Sequence, residues 1–131
     1  LRTFVSHCDK LLWCTDQSVL DCRRNLAVLN RWREKGMKLE HAKLLVDRYL
    51  RNVAPDADTL GKTYGLEIIA TLAYSPEVRL NAKNQGLTLF ELAPRENLTQ
   101  HLRTLGTRLA KRSAGQEKPK VNWLNRLRGS K

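Results

Sequence analysis

The sequence is poor in the features that mark membrane-spanning and secreted proteins. Its 131 residues hold no apolar run near the ~20 that a bilayer span needs, and no signal-peptide pattern opens the chain. Neither an integral membrane protein nor a secreted one is expected. Cysteine is scarce: Cys8, Cys14 and Cys22 are an odd number, all near the amino terminus. They form no CxxC pair and have no histidine at finger-type spacing, so a zinc site is not expected and small thiols of a reducing, cytosolic compartment are. Acidic residues are few, 13 against 24 Lys+Arg, which leaves a net charge of +11. That excess implies an anionic partner, nucleic acid or an anionic membrane face, without choosing between them.

What is present suffices for one core. The hydrophobic fraction is 41% and the charged fraction 28%, outside the range of disordered chains. The chain begins with Leu1 and not Met, so a longer parent protein is expected. Lys10 to Thr15 is a short apolar run suited to a strand buried on both faces. Ser18 caps a helix carrying Val19, Leu20, Leu26, Leu29 and Trp32, which Gly36 stops. Lys43 to Tyr49 reads as a second strand, and Asp56 or Asp58 caps a helix through Tyr64, closed by Gly65. Leu66 to Leu72 gives a third strand. Ser75-Pro76-Glu77 opens a helix that ends at Gly86, and Leu87 to Leu92 suggests a short fourth strand. From Asn97 or Thr99 a long helix carries the stripe Leu98, Leu102, Leu105 and Leu109, ending near Ser113. Strands alternating with helices imply βαβ units: an α/β fold with a partial parallel sheet and flanking helices. In such sheets ligands bind at the carboxyl ends of the strands.

No catalytic constellation stands out. Gly61-Lys62-Thr63 imitates the end of a phosphate-binding loop, but the full motif needs glycine where Asp56 stands, and the stretch reads as helix. His7, His41 and His101 are scattered, and Asp9 and Asp16 flank a strand where turn-making is their default role. The tail is more informative: from Lys111 to Lys131 it has seven Lys/Arg and one acid. In helical projection Trp123, Leu124 and Leu127 share one face beside Arg126, a pattern suited to an anionic bilayer surface. Docking of Trp123 and Leu127 onto the parent domain, or stacking of the tryptophan on a base, suits the same residues.

Five pieces in order resemble the carboxyl-terminal half of the MinD/ParA superfamily of ATPases, from about Cys8 to Leu109. They are Asp9-Lys-Leu-Leu-Trp-Cys-Thr15, Leu45-Val-Asp-Arg-Tyr49, Tyr64 to Ser75, Asn81-Ala-Lys-Asn-Gln-Gly-Leu-Thr-Leu-Phe-Glu-Leu-Ala-Pro94, and a final helix. The wording of the later pieces is closest to the CpaE/TadZ group, pilus-assembly proteins of the Tad (Flp) system. The resemblance implies half of a P-loop NTPase-like Rossmann fold over residues 1–113, a linker at 114–120 and a basic amphipathic tail at 121–131. It implies a bacterial protein acting in type IV pilus assembly, positioning secretion machinery at the cytoplasmic membrane or cell pole. Asp47 stands in the place of the family's adenine-reading Asn, and Ala73 in that of its Pro. Arg48 matches, and Tyr74 with Ser75 borders the base, so Asp47, Arg48, Tyr74 and Ser75 are the expected nucleotide contacts. An aspartate accepts from an adenine amino group but has no amide donor for a ring nitrogen.

The phosphate-binding loop and the metal-binding Asp belong to a half that is not among these residues. ATP or ADP with Mg²⁺ is thus implied for the parent protein, with none expected to be held by this chain alone and no hydrolysis by it. The tail is similar to the membrane-targeting helix of MinD, which makes Trp123, Leu124, Arg126 and Leu127 the expected contacts with the inner membrane. The first strand would lie inside an intact sheet, so an exposed edge, and pairing with a second copy or with the missing half, are expected. Two other readings use the same residues: a partition ATPase that holds DNA through its phosphates, and a scaffold that binds no nucleotide.

Overall fold

The computed structural model describes residues 5 and 7–114. Residues 115–131, with the whole of the expected tail, lie outside the described residues. The elements run β1 (Leu11–Thr15), α1 (Val19–Glu34), β2 (Ala42–Tyr49), α2 (Ala57–Tyr64), β3 (Ile68–Ala73), α3 (Pro76–Gln85), α4 (Leu89–Leu92) and α5 (Asn97–Ala114).

The three strands form one parallel sheet in the order β1-β2-β3. Leu11 pairs with Ala42 and Thr15 with Val46; across the other seam Leu44 pairs with Ile68 and Tyr49 with Ala73. β2 is buried on both faces, and its alternation divides the core in two. Ala42, Leu44 and Val46 face Cys22 and Leu29 of α1 and Leu60 and Tyr64 of α2, with Trp13 set edge-on to Trp32. Leu45 faces the other way, with Ile69 and Leu72, onto Leu98 and Leu105 of α5. Helices thus flank both faces, as the sequence pattern implies.

The helix ends follow local chemistry. Ser18 Oγ accepts from the Asp21 amide at 3.5 Å and Asp56 Oδ1 from the Thr59 amide at 2.8 Å. Gly65 closes α2 in the left-handed region at φ 61°, where its own amide and that of Leu66 bond back to Lys62 and Gly61. Gly61-Lys62-Thr63 lies within α2, as expected, so these residues form helix and no phosphate cradle.

One element departs from expectation. Leu87 to Leu92 is not a strand: Thr88 begins a single helical turn through Leu92. Thr88 Oγ accepts from the Glu91 amide at 3.3 Å, while the Glu91 carboxylate accepts from the Thr88 amide at 2.9 Å. This reciprocal box satisfies two amides that a strand would have to pair elsewhere. Ser75 precedes α3 as expected, with Pro76 in the first turn, but its hydroxyl makes no cap bond. Among the described residues no helix is long and apolar enough to cross a membrane.

Candidate functional site

The carboxyl ends of β1 and β2 are tied together by polar side chains. Asp16, just after β1, accepts the Ser18 amide on Oδ1 at 2.8 Å and the Arg48 guanidinium on Oδ2 at 2.6 Å. Arg48 has φ 51°, a left-handed conformation unusual for a non-glycine residue, at the break in register between Val46 and Tyr49. That twist interrupts the ladder before Tyr49 pairs with Ala73, and the Arg48 side chain reaches Asp16 at the end of β1. The carboxylate–guanidinium bond holds it there.

Gln17 organises the segment that follows. Its Nε2 lies 3.2, 2.6 and 2.9 Å from the carbonyl oxygens of Leu50, Val53 and Pro55, and its Oε1 accepts from the Leu50 amide at 2.7 Å. One amide side chain thereby stands in for backbone pairing across a loop that contains a cis Ala54–Pro55 bond.

Two open cavities flank this loop. One, of about 330 Å³, is lined by Asp16, Gln17, Ser18, Arg48, Leu50, Val53 and Tyr74. The other, of about 660 Å³, is lined by Val19, the loop from Arg51 to Asp56, and Thr59. They share Val53. Four of the large apolar side chains that stay exposed line them: Val19, Leu50, Val53 and Tyr74. An apolar crevice with a half-exposed aromatic ring and an arginine at the carboxyl end of a parallel sheet suits a planar, partly apolar ligand.

The expected site residues divide into two pairs. Arg48 and Tyr74 line the same cavity. Asp47 and Ser75 do not: Asp47 projects toward α3, where Arg79 grips both carboxylate oxygens, one bond being 3.2 Å. Ser75 donates to Glu96 at 3.1 Å. The loop carrying Tyr74 is held by its own amide on the Tyr49 carbonyl at 3.2 Å and by the Ala73 amide to His101 Nδ1 at 3.3 Å. Cys14 lies on the Asp47 face of the sheet; partial burial first, and then the Asp47 carboxylate, push its thiol up from the usual range. Asp16 is more than the turn-maker its position suggests, and Gln17 goes unmarked in the sequence. Its partners are backbone groups more than 30 residues away, which leave no pattern in the residue types.

Compared by sequence, the chain matches no family model and no curated protein. Compared by structure, it has the P-loop NTPase-like α/β fold of the MinD/ParA ATPases. The MinD cell division protein of Aquifex aeolicus is similar with a TM-score of 0.66 at 20% identity, over 88% of this chain and 48% of that one. A ParA family ATPase from Chlorobium tepidum gives 0.69 at 18% identity, over 82% and 44%. The septum site-determining protein MinD of Pyrococcus horikoshii, solved with Mg-ADP, gives 0.64 at 14% identity, over 84% and 44%. The chain spans less than half the length of each, so the likeness establishes the fold.

Proposed function

We propose that this chain is the carboxyl-terminal half of a MinD/ParA-like ATPase domain, itself non-catalytic, which contributes the base-binding end of a nucleotide site. The observation that carries the reading is the joint placement of Arg48 and Tyr74 around one cavity at the carboxyl end of a sheet with this fold. The described residues fit the base better than the rest of a Mg²⁺-nucleotide. Gly61-Lys62-Thr63 is helical, and no three His, Cys, Asp or Glu side chains among the described residues stand close enough to hold a metal ion. Tyr74 would stack on the base and Arg48 would flank it. Asp47 lies outside this cavity on Arg79, and would reach an adenine amino group only by leaving that pair.

The finer reading is a role in Tad/Flp pilus assembly like that of the CpaE/TadZ group. The protein would work as a dimer or with its missing half, at the cytoplasmic face of the inner membrane. Trp123, Leu124, Arg126 and Leu127 would provide the membrane contact. The relative from Aquifex aeolicus that forms a MinC:MinD complex supports the idea that this fold assembles with protein partners.

The test is a nuclear magnetic resonance titration of the chain with adenosine and, separately, with Mg-ATP. The expected outcome is weak binding that shifts the amides of Arg48, Leu50 and Tyr74 and is lost in Tyr74→Ala. Shifts confined to other surfaces, or an unchanged response in that variant, overturn the reading. For the tail, chain ending at residue 120 should lose co-sedimentation with anionic vesicles that the 131-residue chain retains. For the pilus role, deleting the gene in the source bacterium should abolish surface pili.

A further inference from the structure

Helix α1 has a second organised face. Its inner side, Cys22, Leu26, Leu29 and Trp32, packs on the sheet. At about 100° per residue, Leu20, Arg24, Ala27, Val28 and Arg31 fall in one arc of about 100° on the opposite side, with Arg23 at its flank and Glu34, in the last turn, as an acid beside it. All seven are exposed. Leu20 keeps 57% of its surface in water and Val28, two turns further along with Arg24 between them, keeps 45%, on a helix that already has a buried stripe.

Among the described residues the arginines of this face make no ion pair. Ion pairs among the described residues join Lys43 to Glu67, Arg48 to Asp16 and Arg79 to Asp47, and none involves Arg23, Arg24 or Arg31. Arg33 shows the contrast. It sits toward the inner side and donates to the Tyr64 carbonyl at 2.6 Å and to Asn30 Oδ1 at 3.3 Å, which fastens α1 to α2.

We propose that the outer face of α1 docks an acidic amphipathic helix of a protein partner, whose apolar stripe covers Leu20, Ala27 and Val28 and whose carboxylates pair with Arg23, Arg24 and Arg31. Charge complementarity selects an acidic occupant. The small side chain of Ala27, one turn beyond Arg23 and Arg24, leaves room for a helix to approach the surface. Arginine forms two parallel hydrogen bonds to a carboxylate and is enriched at protein interfaces, where lysine is depleted. A nucleic acid would meet the same cations but leave the aliphatic seam in water. A bilayer favours an interfacial aromatic, and this face has none. None of these six residues lines the cavity that carries the nucleotide reading, so the two are tested separately.

The test measures fluorescence anisotropy of a labelled sixteen-residue helical peptide with leucines on one face and glutamates on the others. The controls are labelled polyglutamate, a random-sequence DNA duplex and phosphatidylglycerol vesicles. Two surface variants are compared with the wild type, R23E/R24E/R31E and L20S/V28S, and a third, K83E/R95E, reverses two charges elsewhere. Circular dichroism melting verifies that each is folded. The expected result is that both α1 variants weaken peptide binding at least tenfold while K83E/R95E changes it less than twofold. The proposal is overturned if polyglutamate binds as tightly as the peptide, if L20S/V28S leaves binding intact, or if K83E/R95E weakens it equally. Stronger binding of DNA or vesicles, lost in R23E/R24E/R31E but kept in L20S/V28S, overturns it in favour of a plain polyanion surface.

Discussion

Gln17 shows how much one polar side chain can organise. Its Nε2 has two hydrogens for three carbonyls within range, so at least one is shared, and its Oε1 takes the Leu50 amide. Gln17→Ala should destabilise the chain by about 1–2 kcal/mol in urea unfolding, since several backbone groups of the loop lose a partner. Gln17→Glu should cost more than Gln17→Ala, because a carboxylate then faces carbonyl oxygens. The opposite ranking would mean that solvent already serves those groups. Tyr64 gives a second prediction. Burial is the largest cause that pushes its phenol up to about 12, partly offset by the hydrogen bond with Thr15 Oγ1 at 2.8 Å. A group whose folded pKa is raised contributes stability that is full below its unfolded value, near 10, and is lost as pH rises through the folded one. Unfolding free energy should therefore fall between about pH 10 and pH 12, and Tyr64→Phe should flatten that fall. Cys14 should alkylate slowly at neutral pH despite its solvent contact, and faster in Asp47→Asn, because the carboxylate is one of the two causes that raise its thiol.

Helix ends were the most legible features in the sequence, because their signals are local. Ser18, Asp56, Gly65 and Gly86 all occupy the ends their residue types suggest. The segment after Gly86 differs from its expected strand for a physical reason. Six residues of mixed apolar character fit a short strand and a helical turn equally well, and periodicity over so few positions decides nothing. The deciding signal was the spacing of Thr88 and Glu91. Hydrogen bonds hold two carboxyls below the usual carboxylate range: that of Asp56 through the Thr59 side chain first and then its amide, that of Glu91 through the Thr88 amide first and then its side chain. Such groups contribute stability above the unfolded value, about 4, that is lost as pH falls through the lower folded value. The first turns of α2 and α4 should thus gain amide exchange below about pH 4, and Asp56→Asn should remove most of that dependence in α2 while keeping a cap. In the core of α1, Leu29→Ala should cost about 2–5 kcal/mol, since Leu29 is completely buried.

Across the whole molecule, the α/β class was readable because both faces of the sheet are covered, which makes its strands continuous apolar runs. Of the candidate cavity, only part has a signal in the sequence. Arg48 and Tyr74 stood out through the resemblance, whereas the capture of Asp47 by Arg79 depends on where α3 packs, which no local pattern records. β1 and β3 form the two edges of the sheet. Leu11 bonds toward β2 through the His41 carbonyl, so by strand alternation the amides of Leu12 and Cys14 point the other way. Those two amides should exchange rapidly in the isolated chain and become protected when a further strand adds there; slow exchange in a proven monomer would refute an open edge. The central place of β2 also governs the order of events in folding. Leu11 meets Ala42 across 31 residues, and Leu44 meets Ile68 across 24. Neither ladder has a hairpin to start it, and the logarithmic cost of closing loops of such similar length favours neither seam. Both seams share β2, so neither ladder can form before the eight residues from Ala42 to Tyr49 are extended. A substitution that disfavours extension there should slow folding more than the same change in β1 or β3.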